Sequence, residues 1–358
     1  QARLVLTVPR RAMPDAGYPL IDFIGAGAGA DRALVERGVF GPDGGLVSGP
    51  GSGPGLHLAR AGFAGLTIDG PLVGSRNPTG GDEQFLLFNL TNLPALRDNL
   101  RQSALEVALH VRLLESGGLN ADVADCPGAS SPLRFDLGHL GVMGHSMGAT
   151  ILPMAAAIQP KFQAIVLSGA GSSWIHNLIY KQKPLEVRPV AEVLVDVPEG
   201  SLTAFDPLVS LVQWAAEGAD PQVYGHRVRG DGQTRHVLME QGIVDHYILP
   251  RIANSTSLSL RLDLAGPAHD DQPELVDQQR AQDVLPLNGH GLTSLPVSGN
   301  CRGATAVVVQ HLSDGVQDGH EVLFQKDEPK HQYRCFLETW LTGTPVVLPG
   351  ASADAPCR

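Results

Sequence analysis

Gly144-His145-Ser146-Met147-Gly148 sets one serine between two glycines, with the apolar run Leu140-Gly141-Val142-Met143 before it and Ala149-Thr150-Ile151-Leu152 after it. The order reads as strand, G-x-S-x-G, helix. In that setting the serine occupies a sharp turn that pushes its hydroxyl out of the backbone, and side chains in place of the glycines would collide with the adjoining strand and helix. A serine hydroxyl is a poor nucleophile at neutral pH. It needs a base to take its proton, and the base needs an acid to orient it. Ser146 is therefore a candidate nucleophile, provided that two partners can be found.

Those partners should follow in chain order, acid before histidine. His236 to Glu240 reads as a short buried strand and Gln241 to His246 as the turn after it. Asp245 then lies just past the strand's carboxyl end, where sites of open α/β sheets assemble. Ala304 to Gln310 reads as a second buried strand, running into the polar loop Ser313 to Glu321, which carries His320. Ser146, Asp245 and His320 thus stand in the required order, each on a loop after a strand. Alternatives stay open at two of the three positions. Asp245 also suits the N-cap of a helix beginning at Tyr247, and Glu240 is a substitute acid inside the strand pattern. His311, at the end of its strand, competes with His320.

Several elements must position these groups. Arg3 to Val8, Leu20 to Ile24, Phe63 to Ile68, Leu140 to Met143 and Ala164 to Leu167 read as strands, separated by helical or Gly/Pro-rich stretches. From Asn92 to Glu115, apolar residues recur at Leu93, Leu96, Leu100, Val107, Val111 and Leu114, a helical stripe. Tyr333, Phe336, Leu337, Trp340 and Leu341 form one face of a final helix packed on the sheet. The alternation breaks between Trp174 and Arg235, where Asp206-Pro207 marks a helix start. A second excursion, Ala265 to Asn300, reads as a polar surface loop.

Together these stretches resemble the α/β-hydrolase superfamily, and more narrowly bacterial secreted or envelope-associated esterases and lipases. Gly62 to Pro71 with Gly74-Ser75-Arg76 resembles the family's fourth strand and its turn, and Asn89 to Gln102 resembles the opening of the long helix before the nucleophile strand. The resemblance runs from about Tyr18 to Trp340. It implies an α/β-hydrolase fold, with a mostly parallel central sheet, helices on both faces and a lid insertion. The core would occupy residues 1–174 and 236–358 and the lid 175–235. It implies hydrolysis of carboxylic esters through Ser146, His320 and Asp245, with no metal or organic cofactor. The oxyanion hole would use the backbone N–H of Met147 and that of Ala26 or Gly27. The family's His-Gly after its third strand is here Gly25-Ala26-Gly27-Ala28-Gly29-Ala30, without the histidine. Trp174, Ile175, Leu178, Ile179, Leu208, Leu211, Val212 and Trp214 would wall an acyl-chain pocket. An acyltransferase, a polyester depolymerase and a catalytically silent binding protein are the alternatives on the same fold.

Composition narrows the remaining classes. The chain has 358 residues, 43% of them hydrophobic, enough for a large core. A net charge of −11 argues against nucleic acid or an anionic membrane as partner, and no apolar run approaches the roughly 20 residues of a membrane span. The expected partner is a small-molecule or lipid ester. Gly25, Gly27 and Ala30 fit a dinucleotide fingerprint, but the acid expected about 20 residues on falls in a Gly/Pro-rich loop, which argues against a nucleotide site. Four cysteines, Cys126, Cys301, Cys335 and Cys357, lack metal-ligand spacing and suit two disulfides in a secreted or envelope location, with three pairings open and free thiols as the alternative.

Overall fold

The apolar runs lie side by side because each is too hydrophobic to leave either face in water. The computed structural model describes residues 2–25, 32–117, 119, 123, 132–230, 235–271 and 279–358. Its strands are β1 (Leu4–Thr7), β2 (Tyr18–Ile24), β3 (Ala64–Ile68), β4 (Phe135–His145), β5 (Ala164–Ser168), β6 (His236–Ile243), β7 (Asp263–Ala265), β8 (Leu292–Thr293), β9 (Val297–Ser298), β10 (Ala306–Leu312) and β11 (Val346–Val347). Nine of them form one sheet in the order β1-β3-β2-β4-β5-β6-β10-β7-β8, while β9 and β11 pair separately. Only the edge strand β1 runs antiparallel to its neighbour in the large sheet.

A parallel sheet is stable when both faces are covered. Under one face, Leu96, Leu100, Val107 and Val111 of the helix Leu93–Glu115 and Leu152 of the helix Met147–Ile158 pack on Leu140, Val142 and Met239. Under the other, Leu58 of the helix Pro54–Ala61 and Phe336, Leu337 and Trp340 of the helix Asp327–Trp340 pack on Ile21, Met143, Leu238 and Val309. Gly141 lets three strands close up at the centre: a Cβ there would lie 2.8 Å from Ile21 Cδ1 and 2.9 Å from the Ala164 carbonyl oxygen. The sequence places the chain reversal before β2 and the crossovers after it so that the carboxyl ends of β2, β4, β6 and β10 share one edge. The result is a mostly parallel nine-stranded sheet with helices on both faces.

Two expectations need correction. Gln241 to Ile243 are strand, not turn, because they continue the parallel ladder of β6 against Gln310, His311 and Leu312. The stretch from Ala265 to Asn300 is not merely a surface loop. It supplies β8, which extends the sheet beside β7, and it buries Ala281 and Leu285. Strands of two or three residues leave no periodicity to read. Between β5 and β6 stand the helices Trp174–Tyr180, Val187–Leu194 and Pro207–Ala216, the last capped by Asp206 accepting from Leu208 N at 2.9 Å.

Of the four cysteines, Cys335 and Cys357 form a disulfide, Cys301 carries a free thiol, and Cys126 lies outside the described residues. The disulfide closes a loop with a sequence separation of 22 and pins the C-terminal segment to the Asp327–Trp340 helix. A loop of that length stabilises by about 3 kcal/mol through the unfolded chain. Reduction should therefore lower the unfolding free energy in urea by about that amount, while the reduced protein keeps the far-ultraviolet circular dichroism of the oxidised one. Equal stability before and after reduction would show that the crosslink constrains nothing.

Candidate active site

Ser146 sits between β4 and its helix at φ 54° and ψ −117°, a region that costs a non-glycine residue on the order of 1–3 kcal/mol. The surroundings over-determine it. Ser146 N donates to the Ser168 carbonyl of β5 at 2.9 Å, and Thr150 N donates back to Ser146 O at 3.0 Å, starting the helix. The two flanking glycines are sterically required. A Cβ on Gly144 would lie 2.9 Å from Gly148 O, and one on Gly148 would overlap the Ile24 carbonyl oxygen at the end of β2. The elbow is therefore wedged against the mouth of the β2 loop. Ser146 itself is half-buried, so its hydroxyl is reachable.

Asp245 and His320 meet. Asp245 Oδ2 lies 2.9 Å from His320 Nδ1, with both side chains buried. Asp245 Oδ1 accepts from Tyr247 N and Ile248 N, each at 2.7 Å. No helix starts at Tyr247, since the next one begins at Pro250 with Leu249 as its N-cap, so Asp245 is not a helix cap: one oxygen of its carboxylate holds the turn and the other lies against the imidazole. A carboxylate accepts from Nδ1, so the proton resides there and Nε2 keeps its lone pair. His320 Nε2 is buried and has no hydrogen-bond partner among the described residues. Burial works to lower the imidazole pKa, but the charge of Asp245 and its hydrogen bond outweigh it, and the balance is raised.

The ring of His320 is boxed in. Tyr247 stacks on it with centroids 4.6 Å apart, and His145, next to the serine, lies 4.9 Å away. Gly169, which follows the Ser168 carbonyl that holds Ser146 N, sits under the same ring, where a Cβ would come 2.6 Å from Cε1. Burial keeps His145 neutral by pushing its pKa well down. The competing residues pair with each other instead: His311 Nε2 lies 2.6 Å from Glu240 Oε2 on adjacent strands, and neither touches Asp245 or His320.

Asp318 was not singled out from the sequence, yet it joins three segments. Its Oδ1 accepts from His246 N and His320 N, both at 3.1 Å, and its Oδ2 lies 2.8 Å from His246 Nδ1 and 2.9 Å from Lys183 Nζ. These charged and backbone donors hold the Asp318 carboxyl below its ordinary range against the opposing effect of burial. Gly319 completes the seam: its N–H donates to Val244 O at 2.8 Å, and a Cβ there would overlap that carbonyl. The only clue in sequence is proximity, two residues before the histidine.

Ser146, Met147 and Tyr247 open on a largely apolar cavity of about 360 Å³. Of the expected wall residues, Trp174, Leu178 and Val212 line it. Leu208, Leu211 and Trp214 line a separate groove of about 410 Å³ that shares Leu178 and Val212 with the first, and all three are exposed. Ile175 and Ile179 pack with Leu202 and Val209 in a small core of their own. Phe88, Leu194 and Lys181 line the cavity without having been anticipated. Met147 opens its helix, where its N–H has no carbonyl within that helix to bond. Ala26 and Gly27 lie outside the described residues. Among the described residues, no group of three or more His, Cys, Asp or Glu side chains could hold a metal ion.

No protein-family model matches the chain, and no curated protein does. Among solved structures, the chain is similar to an acetyl xylan esterase from Thermoanaerobacterium sp. (14% identity, 72% of this chain and 68% of that one, TM-score 0.42). It is similar also to a puromycin-hydrolyzing peptidase from Mycobacterium tuberculosis (11% identity, 94% and 37%, TM-score 0.49) and an esterase from Pyrococcus furiosus (11% identity, 96% and 90%, TM-score 0.43). Similarity this faint decides neither reaction nor substrate; the site geometry has to.

The seam between the acid and histidine loops yields a direct test. Gly319→Ala drives a methyl into Val244 O and should displace the imidazole on the ångström scale. Displacements of that size cost about 100-fold in rate, so labelling of Ser146 by a fluorophosphonate should slow by about that factor while circular dichroism is unchanged. An unaffected labelling rate would show that the two loops need not touch.

Proposed function

We propose that the chain is a serine hydrolase that cleaves carboxylic esters, with Ser146 as nucleophile, His320 as general base and then acid, and Asp245 as the orienting carboxylate. The observation that carries the reading is the buried imidazole of His320, tethered to Asp245 through Nδ1 and left unpartnered at Nε2 beside a strained serine elbow. Nε2 takes the Ser146 proton as the hydroxyl oxygen attacks the ester carbonyl. The resulting imidazolium is stabilised by Asp245, which holds it without taking its proton. Met147 N–H, with Ala26 N–H or Gly27 N–H as the second donor, stabilises the tetrahedral oxyanion; one such donor contributes about 3–4 kcal/mol. His320 then protonates the leaving alcohol, activates water, and the acyl-enzyme is hydrolysed. The helices of residues 175–235 act as the cap, and Trp174, Leu178 and Val212 cover the apolar part of the substrate. A disulfide suits a secreted or envelope location.

Ester hydrolysis predicts a graded set of losses. Ser146→Ala should abolish turnover of p-nitrophenyl esters, by about 10⁴-fold or more, and prevent covalent labelling by a fluorophosphonate. Asp245→Asn keeps an oxygen for Tyr247 N and Ile248 N but offers His320 the wrong tautomer, and should lose about 10⁴-fold in kcat. Undiminished hydrolysis by Ser146→Ala on esters of short and long acyl chains would end this reading.

The pH dependence has a defined sign. The base acts in its neutral form, and the charge of Asp245 raises the pKa of His320 above the usual 6.5. Activity should therefore fall as pH drops, with the acid limb of kcat/KM centred above that ordinary imidazole value. A limb centred well below it would assign the titration to another group.

A further inference from the structure

Among the described residues, two charged side chains line the cavity at Ser146, and their surroundings differ. Asp220 is saturated: it accepts from Ser173 N at 3.0 Å, Trp174 N at 3.3 Å, Gln213 Nε2 at 2.8 Å, Gln222 N at 3.3 Å and Gln222 Nε2 at 2.9 Å. Lys181 is different. Its ammonium donates to Tyr247 O at 2.8 Å, and among the described residues its other two N–H groups have no acceptor and it forms no ion pair. Lys181 is half-buried, and an ammonium partly withdrawn from water gains from a paired anion, because desolvating an isolated charge is costly. Burial pushes this one down to about 8, against the pull of Asp245. Asp245 does not serve as its counter-ion, since one oxygen is held by two backbone N–H groups and the other by His320.

We propose that Lys181 recognises a carboxylate carried by the ester substrate close to its scissile carbonyl. The proposal rests on the ester-hydrolase reading and names the substrate class for the same site. Position follows from Tyr247, whose carbonyl holds Lys181, whose ring stacks on His320, and which lines the cavity with Ser146. The cation therefore stands at the reacting end of the cavity. The rest of the wall is apolar, with Phe88, Trp174, Leu178 and Leu194. A ligand that fits is amphiphilic: an alkyl or aryl body with one anion near the ester, such as the half-ester of a dicarboxylic acid. A carboxylate suits the site better than a phosphate. One ammonium balances one negative charge, and among the described residues no arginine or second lysine lines the cavity. Lys183, nearby in sequence, is bound to Asp318.

Lys181→Met keeps the aliphatic stem and removes the charge. Two substrate pairs read the effect: p-nitrophenyl hydrogen glutarate against p-nitrophenyl pentanoate for an acyl-side carboxylate, and 4-carboxyphenyl acetate against 4-methylphenyl acetate for an alcohol-side one. In at least one pair, kcat/KM for the carboxylate member should fall about 10- to 100-fold further than for its neutral partner, chiefly through KM. Lys181→Arg should restore most of that difference. Equal losses within both pairs would overturn the proposal, since a merely structural lysine would affect both members alike. Calorimetric binding of hexanoate and hexanol separates this proposal from the ester-hydrolase reading, because it needs no turnover. Hexanoate should bind the wild-type protein about tenfold or more tightly than Lys181→Met, with hexanol held equally by both. Equal hexanoate affinities would overturn it, whatever the outcome of the ester assays. Tighter binding of hexyl phosphate than hexanoate would overturn the assignment to a carboxylate.

Discussion

One carboxylate, that of Asp245, has all its neighbours organised around it. Its two oxygens take three donors at 2.7–2.9 Å, two from its own turn and one from an imidazole 75 residues further on. Hydrogen bonds to a buried ion contribute about 1.5–3 kcal/mol each, and leaving such an ion unsatisfied costs more. Loss of the His320 contact would leave a charged oxygen in a dry site. The imidazole is therefore locked by the needs of the carboxylate as much as by its own packing against Tyr247 and His145.

The parts of the molecule that were legible in the sequence are those where one chemical demand acts over several consecutive residues. The elbow announces itself because a strained serine needs two glycines at fixed spacing, and the structure gives both a steric reason. Strands buried on both faces read as apolar runs, and the Leu93–Glu115 helix reads as a stripe with Asn92 as its cap. Asp245 and His320 were found by order and by loop position, which is a rule about topology and not about the residues themselves. Asp318, Tyr247 and Lys181 escaped that rule. Each acts through a contact between segments far apart in the chain, and no local pattern marks such a contact.

The cavity wall shows the same division. Helical spacing correctly grouped Leu208, Leu211 and Val212 on one helix, but spacing cannot say which side of an apolar stripe meets the substrate. Val212 turns to the cavity, while Leu208 and Leu211 face the neighbouring groove with Trp214. Trp174 lines the cavity because its indole Nε1 donates to Ala216 O at 3.1 Å, fixing the ring between two helices. The pairing of Glu240 with His311 is equally instructive. An acid and a histidine placed on neighbouring strands paired with one another through Glu240 Oε2 and His311 Nε2, apart from the pair beyond the strand ends.

The Asp318 junction ties the 181–184 segment, which lines the cavity through Lys181 and Pro184, to the loop that carries His320. Lys183 and His246 share an oxygen of the carboxylate whose other oxygen secures the backbone of His320, and Gln182 N and Lys183 N both donate to His246 O. Displacing the 182–183 backbone would therefore pull on His246 and Asp318, and through Asp318 on the backbone of His320. The segment that lines the cavity and the loop that carries the imidazole are thus fastened as one unit, and neither can be repositioned without remaking the bonds of the other.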